Sequence, residues 1–369
     1  MGLKMKASDI NALIRQLGAR NGSVRLPAVS IDINETLEID HPCIGLEGDI
    51  WAYSSDPNGV FESRYGTQLR LRGTSFPAVS IGVSRTAEGC VIRDLGIQGD
   101  ITGMDTRPLF DMDHPLASSG ITLSHTRVDQ AEFSKISFCG LHCGICACDE
   151  AEVDACLFEK LNVDGCAIGA YFAPRAAYYV RFRKWVAADN PYYGLYVNGD
   201  GRQNRRMEIS QIQFIRSGGA FRENDGLVHA AVCLEKVDTC IFRDNLIDDA
   251  GVFWYFDSEA AANSDHRTIV FPTAGFYCRG NDNTISNNVI SCSHAASMVI
   301  CGDRNVLMNN ICDGDVVIEG NGNTVSCLAF TTSEARLYVR GEGNQIWGVP
   351  PERIVQESRP IRKGAEQKC

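Results

Sequence analysis

One short pattern recurs along most of this chain: an apolar residue, two polar ones, an apolar residue or Asn, one polar residue, then another apolar residue. It appears as Ile92-x-x-Leu95-x-Ile97, Phe133-x-x-Ile136-x-Phe138, Phe158-x-x-Leu161-x-Val163 and Ile209-x-x-Ile212-x-Phe214. Phe242-x-x-Asn245-x-Ile247, Ile285-x-x-Asn288-x-Ile290 and Leu307-x-x-Asn310-x-Cys312 continue it, with looser copies at Phe182 and Val325. Successive copies start from 18 residues apart (Leu307 to Val325) to 43 apart (Phe242 to Ile285). The short spacings suit one solenoid turn of three short strands and tight corners. The long ones suit the same turn with a loop inserted, and such insertions gather on one face.

Near the C-terminus the turns are almost bare. Gly280-Asn-Asp-Asn283, Gly302-Asp-Arg-Asn305, Gly320-Asn-Gly-Asn323 and Gly341-Glu-Gly-Asn344 read as successive corners. Gly and Asn both tolerate left-handed backbone, and an Asn amide can bond to the coil above or below. A β-sandwich with Asn-Gly hairpins is the competing reading, but it would not hold one register across four corners. The expected architecture is all-β: a right-handed parallel β-helix of about ten coils, forming a single domain over residues 1–349. Residues 8–17, with Ser8 as cap and apolar residues at helical spacing, read as a short helix covering the first coil. Residues 350–369 are charged and aperiodic, and read as a loose tail.

Composition narrows the partners. A net charge of −11 argues against nucleic acid, which needs a basic stripe. No stretch approaches the ~18 apolar residues of a membrane span. The start, MGLKMKASDI, lacks the apolar segment of a secretory leader, so the sixteen cysteines are expected as reduced core residues of a cytoplasmic protein. The cluster Cys139, Cys143, Cys146 and Cys148, with His142 inside it, lacks the paired hooks of a zinc site. No metal and no cofactor is expected, since there is neither a P-loop nor a dinucleotide fingerprint.

The order of helix, Gly22-x-Val24-x-Leu26-Pro27, Ile44-Gly-Leu-Glu-Gly48 and Asn-cornered coils resembles the pectin-lyase-like superfamily of β-helix proteins, over roughly residues 8–349. Within it, the segments Cys90–Gly99 and Ala274–Asn288 look most like inulin fructotransferases and difructose-anhydride enzymes. The resemblance implies the fold. That solenoid hosts lyases, hydrolases, epimerases, tailspikes and adhesins, so it implies no single activity. Where the family's catalytic acid would be expected before a Gly, this chain has Tyr193-Gly194, and no catalytic residue is carried over.

Two stretches carry candidate chemistry. The segment from Tyr178 to Glu208 is rich in aromatic and basic residues. Tyr192, Tyr193, Arg202, Arg205 and Arg206 are its candidate sugar-binding side chains, because aromatic faces stack on sugar rings and Arg forks grip hydroxyls. The second stretch is Asp248-Asp249 followed by Phe253-Trp254-Tyr255-Phe256, where Trp254 is a further binding candidate. Glycosidic-bond chemistry commonly uses two carboxylates. Asp248 and Asp249 are candidates for that role, with Asp200 and Glu208 as rivals. The bland alternatives are a solvated flank, a core aromatic ladder and ordinary corner aspartates. His125, His229 and His266 have no partner fixed by sequence. The resulting expectation is a carbohydrate-active enzyme that hydrolyses or transfers a glycosidic bond of an oligosaccharide. The rivals are a non-catalytic glycan-binding module and a uronate lyase or epimerase. A homotrimer sharing a site between subunits is compatible with the sequence.

Overall fold

The computed structural model describes residues 5–18, 20–49, 66–73, 75–99, 118–147, 150–199, 203–218, 228–255, 267–270, 273–291 and 293–357, without the side chains of 203, 253–255 and 267–270. The chain gathers into two compact units. Unit 1 holds residues 1–186 and 201–207; unit 2 holds 187–200 and 208–369.

Both units are built from parallel coils. In unit 1 one coil runs through Glu152–Asp154, Leu157–Asp164 and Ile168–Phe172. Its neighbours pair in register, Phe133 with Phe158 and Phe158 with Phe182. These three rings stack at 4.5 and 5.0 Å between centroids, so the first apolar position of the repeat forms the spine of the core. In unit 2, Phe242 stacks on Phe276 at 4.2 Å, and Phe242, Ile285, Leu307 and Val325 continue the inward column.

Each coil contributes to a bent sheet, through one long strand such as Leu157–Asp164 or two short ones flanking a corner such as Thr284–Ser286 and Val289–Ser291, and to a flat sheet. Several coils of unit 1 add a short third strand such as Glu152–Asp154. In unit 1 the flat sheet takes Leu37–Ile39, Val79–Ile81, Ser119–Leu123, Cys143–Ala147 and Ile168–Phe172. In unit 2 a flat sheet takes Tyr193–Asn198, Ala230–Glu235, Ala274–Arg279, Met298–Cys301, Val316–Glu319, Leu337–Arg340 and Ile354–Gln356. These strands outnumber the expected ten or so coils, because the first coils lack the repeat pattern and the last lies beyond it.

The last strand corrects the expected loose tail. Ile354–Gln356 pairs with Leu337–Val339, so the chain keeps coil register past Pro350. Residues 358–369 lie outside the described residues. The N-terminal helix is Ala7–Leu17 and starts one residue before the expected Ser8 cap. Asp9 Oδ2 accepts from the Lys6 N–H at 3.1 Å, and the wholly buried Ala7 is drawn in as the first helical residue. Asn11 pins the helix to the first coil, donating to Thr36 O at 2.8 Å and accepting from Glu38 N at 3.0 Å.

The corner asparagines keep one of their two expected roles, bonding to the neighbouring coil, and not the left-handed one. At the bare corners the left-handed residues are Asp282, Arg304, Gly322 and Gly343, one position before each Asn. The asparagines instead turn inward and form a ladder. Asn283, Asn305, Asn323 and Asn344 accept through Oδ1 from the backbone N–H of Cys240, Asn283, Asn305 and Asn323, at 2.8–2.9 Å. A second ladder at the bend of the other sheet joins Ile212, Asn245, Asn288 and Asn310 at 3.0 Å. These side chains satisfy backbone donors that a sharp, buried corner would otherwise orphan.

Long insertions concentrate at one corner, between the second half of the bent sheet and the flat sheet: 99–118 in unit 1, 216–229 and 249–273 in unit 2. The excursion at 49–66 opens instead at the bend of the other sheet.

The described cysteines are free, and most are buried, as expected for core thiols. Burial pushes the Cys156 thiol up to about 12, and those of Cys166, Cys233, Cys278 and Cys312 upward as well.

Two outcomes follow from this packing. Asn288→Ala strips partners from the Asn245 N–H and Phe242 O and should cost about 2–6 kcal/mol in urea unfolding, since each orphaned buried group costs about 1–3 kcal/mol. The thiols, raised in the folded state, contribute stability that is full below pH ~8.5 and falls as pH rises, by up to roughly 1.4 kcal/mol per pH unit per thiol. Alkylation mapping should label Cys43 and Cys327 in the native protein, and Cys166, Cys233 and Cys278 only after unfolding.

Candidate functional site

The insertion-bearing corner of unit 2 collects the chemistry. Its turns stack through the backbone: Gly218 N–H donates to Asn190 O at 3.0 Å, and Gly251 N–H to Ser217 O at 3.0 Å. On this frame sit Asp189 and Arg216, joined by a two-point ion pair at 2.6 and 2.7 Å. Next comes Asp248, which ends the strand Leu246–Asp248 and pairs in register with Ser291. The Ser291 hydroxyl donates to Asp248 Oδ1 at 2.6 Å. Asp249 follows at a left-handed corner, φ +52°. Its carboxylate makes no hydrogen bond or ion pair among the described residues. One coil further on, Ser297 Oγ donates to Asp313 Oδ1 at 3.0 Å.

Two buried hydroxyls, Thr273 Oγ1 and Ser293 Oγ, have no hydrogen-bond partner among the described residues. Thr273 immediately precedes the strand Ala274–Arg279, and a Cβ on Gly275 would come within 2.8 Å of the Ser293 hydroxyl. Buried hydroxyls without a partner are what a site that receives polar ligand atoms leaves open. The corner thus offers two half-buried carboxylates side by side, a neutralised Asp–Arg pair and hydroxyls able to donate or accept.

The other expected residues fall elsewhere. Asp200 and Arg202 lie outside the described residues, as does the Trp254 side chain. The Trp254 backbone belongs to the hairpin of Val252–Tyr255 with Arg267–Val270. Glu208 accepts from Arg243 at 2.7 Å and from Ser210 at 3.2 Å, a rung that ties neighbouring strands. That hydrogen bond holds the Arg243 guanidinium above its usual range.

The aromatic-basic band separates into core and surface. Tyr193 is fully buried and donates through its hydroxyl to Val228 O at 2.9 Å; Tyr192 is 7% exposed. Trp185, also in the band, is core, donating to Phe158 O at 2.8 Å. Their inward turn follows the coil register, which places each at a position that faces the interior. Arg205 and Arg206 are exposed in unit 1, where Arg206 lies over the Tyr179 ring at 5.4 Å and also donates to its hydroxyl.

Sequence reasoning missed Ser291, Thr273, Ser293 and the Asp189–Arg216 pair. Each is ordinary in sequence and gains meaning only from the coil beside it. Among the described residues no cluster of His, Cys, Asp and Glu could hold a metal ion. Of the cysteine cluster, Cys143 donates to Ile145 O at 2.8 Å, and Cys148 lies outside the described residues. No helix among the described residues is long and apolar enough to cross a membrane.

Comparison with solved structures sets this corner in a known architecture. A crystal structure of DFA-IIIase from Arthrobacter chlorophenolicus A6 in complex with GF2 superposes with a TM-score of 0.70, covering 98% of both chains at 13% identity. The same enzyme in complex with DFA-III superposes at 0.63, over 97% of this chain and 96% of that one, at 12% identity. The likeness shows a shared parallel β-helix fold. No known family profile matches the sequence, and no curated protein matches it.

The core placement of the band is checked by Trp185→Ala. It should lower unfolding stability by about 3–5 kcal/mol, the usual cost of emptying a large buried aromatic site. A surface stacking residue would cost little.

Proposed function

We propose that this protein is a carbohydrate-active enzyme acting on a glycosidic bond of an oligosaccharide, with Asp248 and Asp249 as its paired carboxylates. The observation that carries this reading is the partnerless Asp249 carboxylate beside the Ser291-held Asp248, at the corner where long insertions gather. The near full-length likeness to DFA-IIIase, seen with GF2 and with DFA-III, supports a sugar ligand.

In this reading Asp249, without a partner among the described residues, gives its proton to the leaving glycosidic oxygen as the C–O bond breaks. Asp248, oriented by Ser291, faces the oxocarbenium-like carbon and stabilises or attacks it. A water then adds its hydroxyl to that carbon and returns a proton to Asp249, giving hydrolysis. A hydroxyl of the same substrate in place of water gives an intramolecular transfer. Thr273 and Ser293 supply hydroxyls for the sugar. The uronate-lyase alternative fits less well, because Arg216, the cation at this corner, is locked in two-point contact with Asp189. The free thiols accord with a cytoplasmic setting, where such groups stay reduced.

Mass spectrometry after incubation with fructans, difructose anhydrides, pectic fragments and glucuronides tests the reaction. Gain of one water marks hydrolysis, a cyclic product at unchanged total mass marks transfer, and unsaturated fragments mark a lyase. Asp249→Asn should lower turnover by about 10²–10⁴-fold, the usual weight of a general acid, with an unchanged unfolding midpoint. Full activity in that variant rejects the assignment.

A further inference from the structure

A second feature of unit 2 lies at the other end of the same flat-sheet strands. Their outer ends carry a column of residues in parallel register: Glu235, Arg279, Cys301, Glu319 and Arg340. The long side chains pair along it. Arg279 donates to Glu235 at 3.0 Å, and Arg340 bonds to Glu319 and, at 2.8 Å, to Glu357. Cys301 alone among these rungs is short and uncharged, so the ion-pair ladder breaks between Arg279 and Glu319.

A hollow of about 450 Å³ opens at that break, lined by Lys236, Asp238, Arg279, Asn281, Cys301 and Glu319, with Gly280 and Gly302 behind. Those glycines are forced by the corner: at φ +154° and +137°, a Cβ on either would lie 2.1 Å from a backbone oxygen of the preceding coil. Lack of bulk at three adjacent points therefore creates the hollow, which falls within the about 300–1,000 Å³ range of small-molecule sites.

We propose that this hollow is a binding site for a neutral polyhydroxylated ligand, a sugar unit, separate from the Asp248–Asp249 corner. Its lining charges cancel, Lys236 and Arg279 against Asp238 and Glu319, so a neutral ligand enters without electrostatic penalty. Each sugar hydroxyl both donates and accepts, and cations set beside carboxylates meet both needs at once. The Asn281 amide adds a donor: its oxygen is used by the Asp303 N–H at 2.8 Å, while its nitrogen makes no hydrogen bond among the described residues. The assignment of a sugar rests on the proposed function; the existence of the site does not.

The experiment is ligand-observed NMR titration of full-length protein with sucrose, and separately with glycine as a zwitterionic probe. It uses the Asp249→Asn background, so that turnover does not interfere. Cys301→Arg fills the notch with a side chain that can pair with Glu319; Cys301→Ser keeps its size. Sucrose binding that weakens at least about tenfold in Cys301→Arg and persists in Cys301→Ser supports the site. Glycine binding in place of sucrose, no sucrose binding, or binding indifferent to Cys301→Arg overturns it. A failure of the catalytic reading appears separately, as unchanged glycans in the wild-type incubation.

Discussion

The fold depends on how a tight, buried corner satisfies its backbone donors. In a parallel coil, strand-to-strand hydrogen bonds care for the flat stretches, but the chain must also bend inside a dry core. The asparagine ladders resolve this: Asn283 to Asn344 at one corner and Asn245 to Asn310 at another each hand a side-chain oxygen to the backbone N–H of the preceding coil. Each bond requires that neighbouring coils agree in register to a fraction of an ångström. In unit 2 the Phe242–Phe276 stack, the column of outward charges and the corner carboxylates all inherit that register.

This explains which parts of the molecule were legible in sequence. The apolar repeat is a one-dimensional signal, and each copy predicts the inward position of its neighbour; Phe133, Phe158 and Phe182 stack as the spacing implies. The asparagines were also visible, but their role was half read. Their bonds to the neighbouring coil were anticipated, whereas the left-handed positions belong to the residue before each ladder asparagine.

The candidate site was far less legible. Asp248-Asp249 stood out as a pair, but Ser291, 43 residues away, could not be linked to it without the intervening loop being closed. The aromatic band shows the opposite error. Tyr193 and Trp185 have surface-like neighbours in sequence, yet alternation along a strand sends adjacent residues to opposite faces, so composition over a window cannot decide which are exposed. Glu208 was equally ambiguous until Arg243 was placed one coil away.

The corner that bears the insertions has a wider implication. Between the bent and flat sheets one coil crosses with only Asp313–Asp315, while another makes an excursion over 249–273 with its own hairpin. The ladders lie at the other corners, so neither crossing disturbs them. In the proposed reading, stability and sugar binding thereby fall to different parts of each coil. Such a scaffold can exchange, lengthen or lose its inserted loops without renegotiating its core, which is the molecular condition for rapid divergence of specificity on a fixed frame.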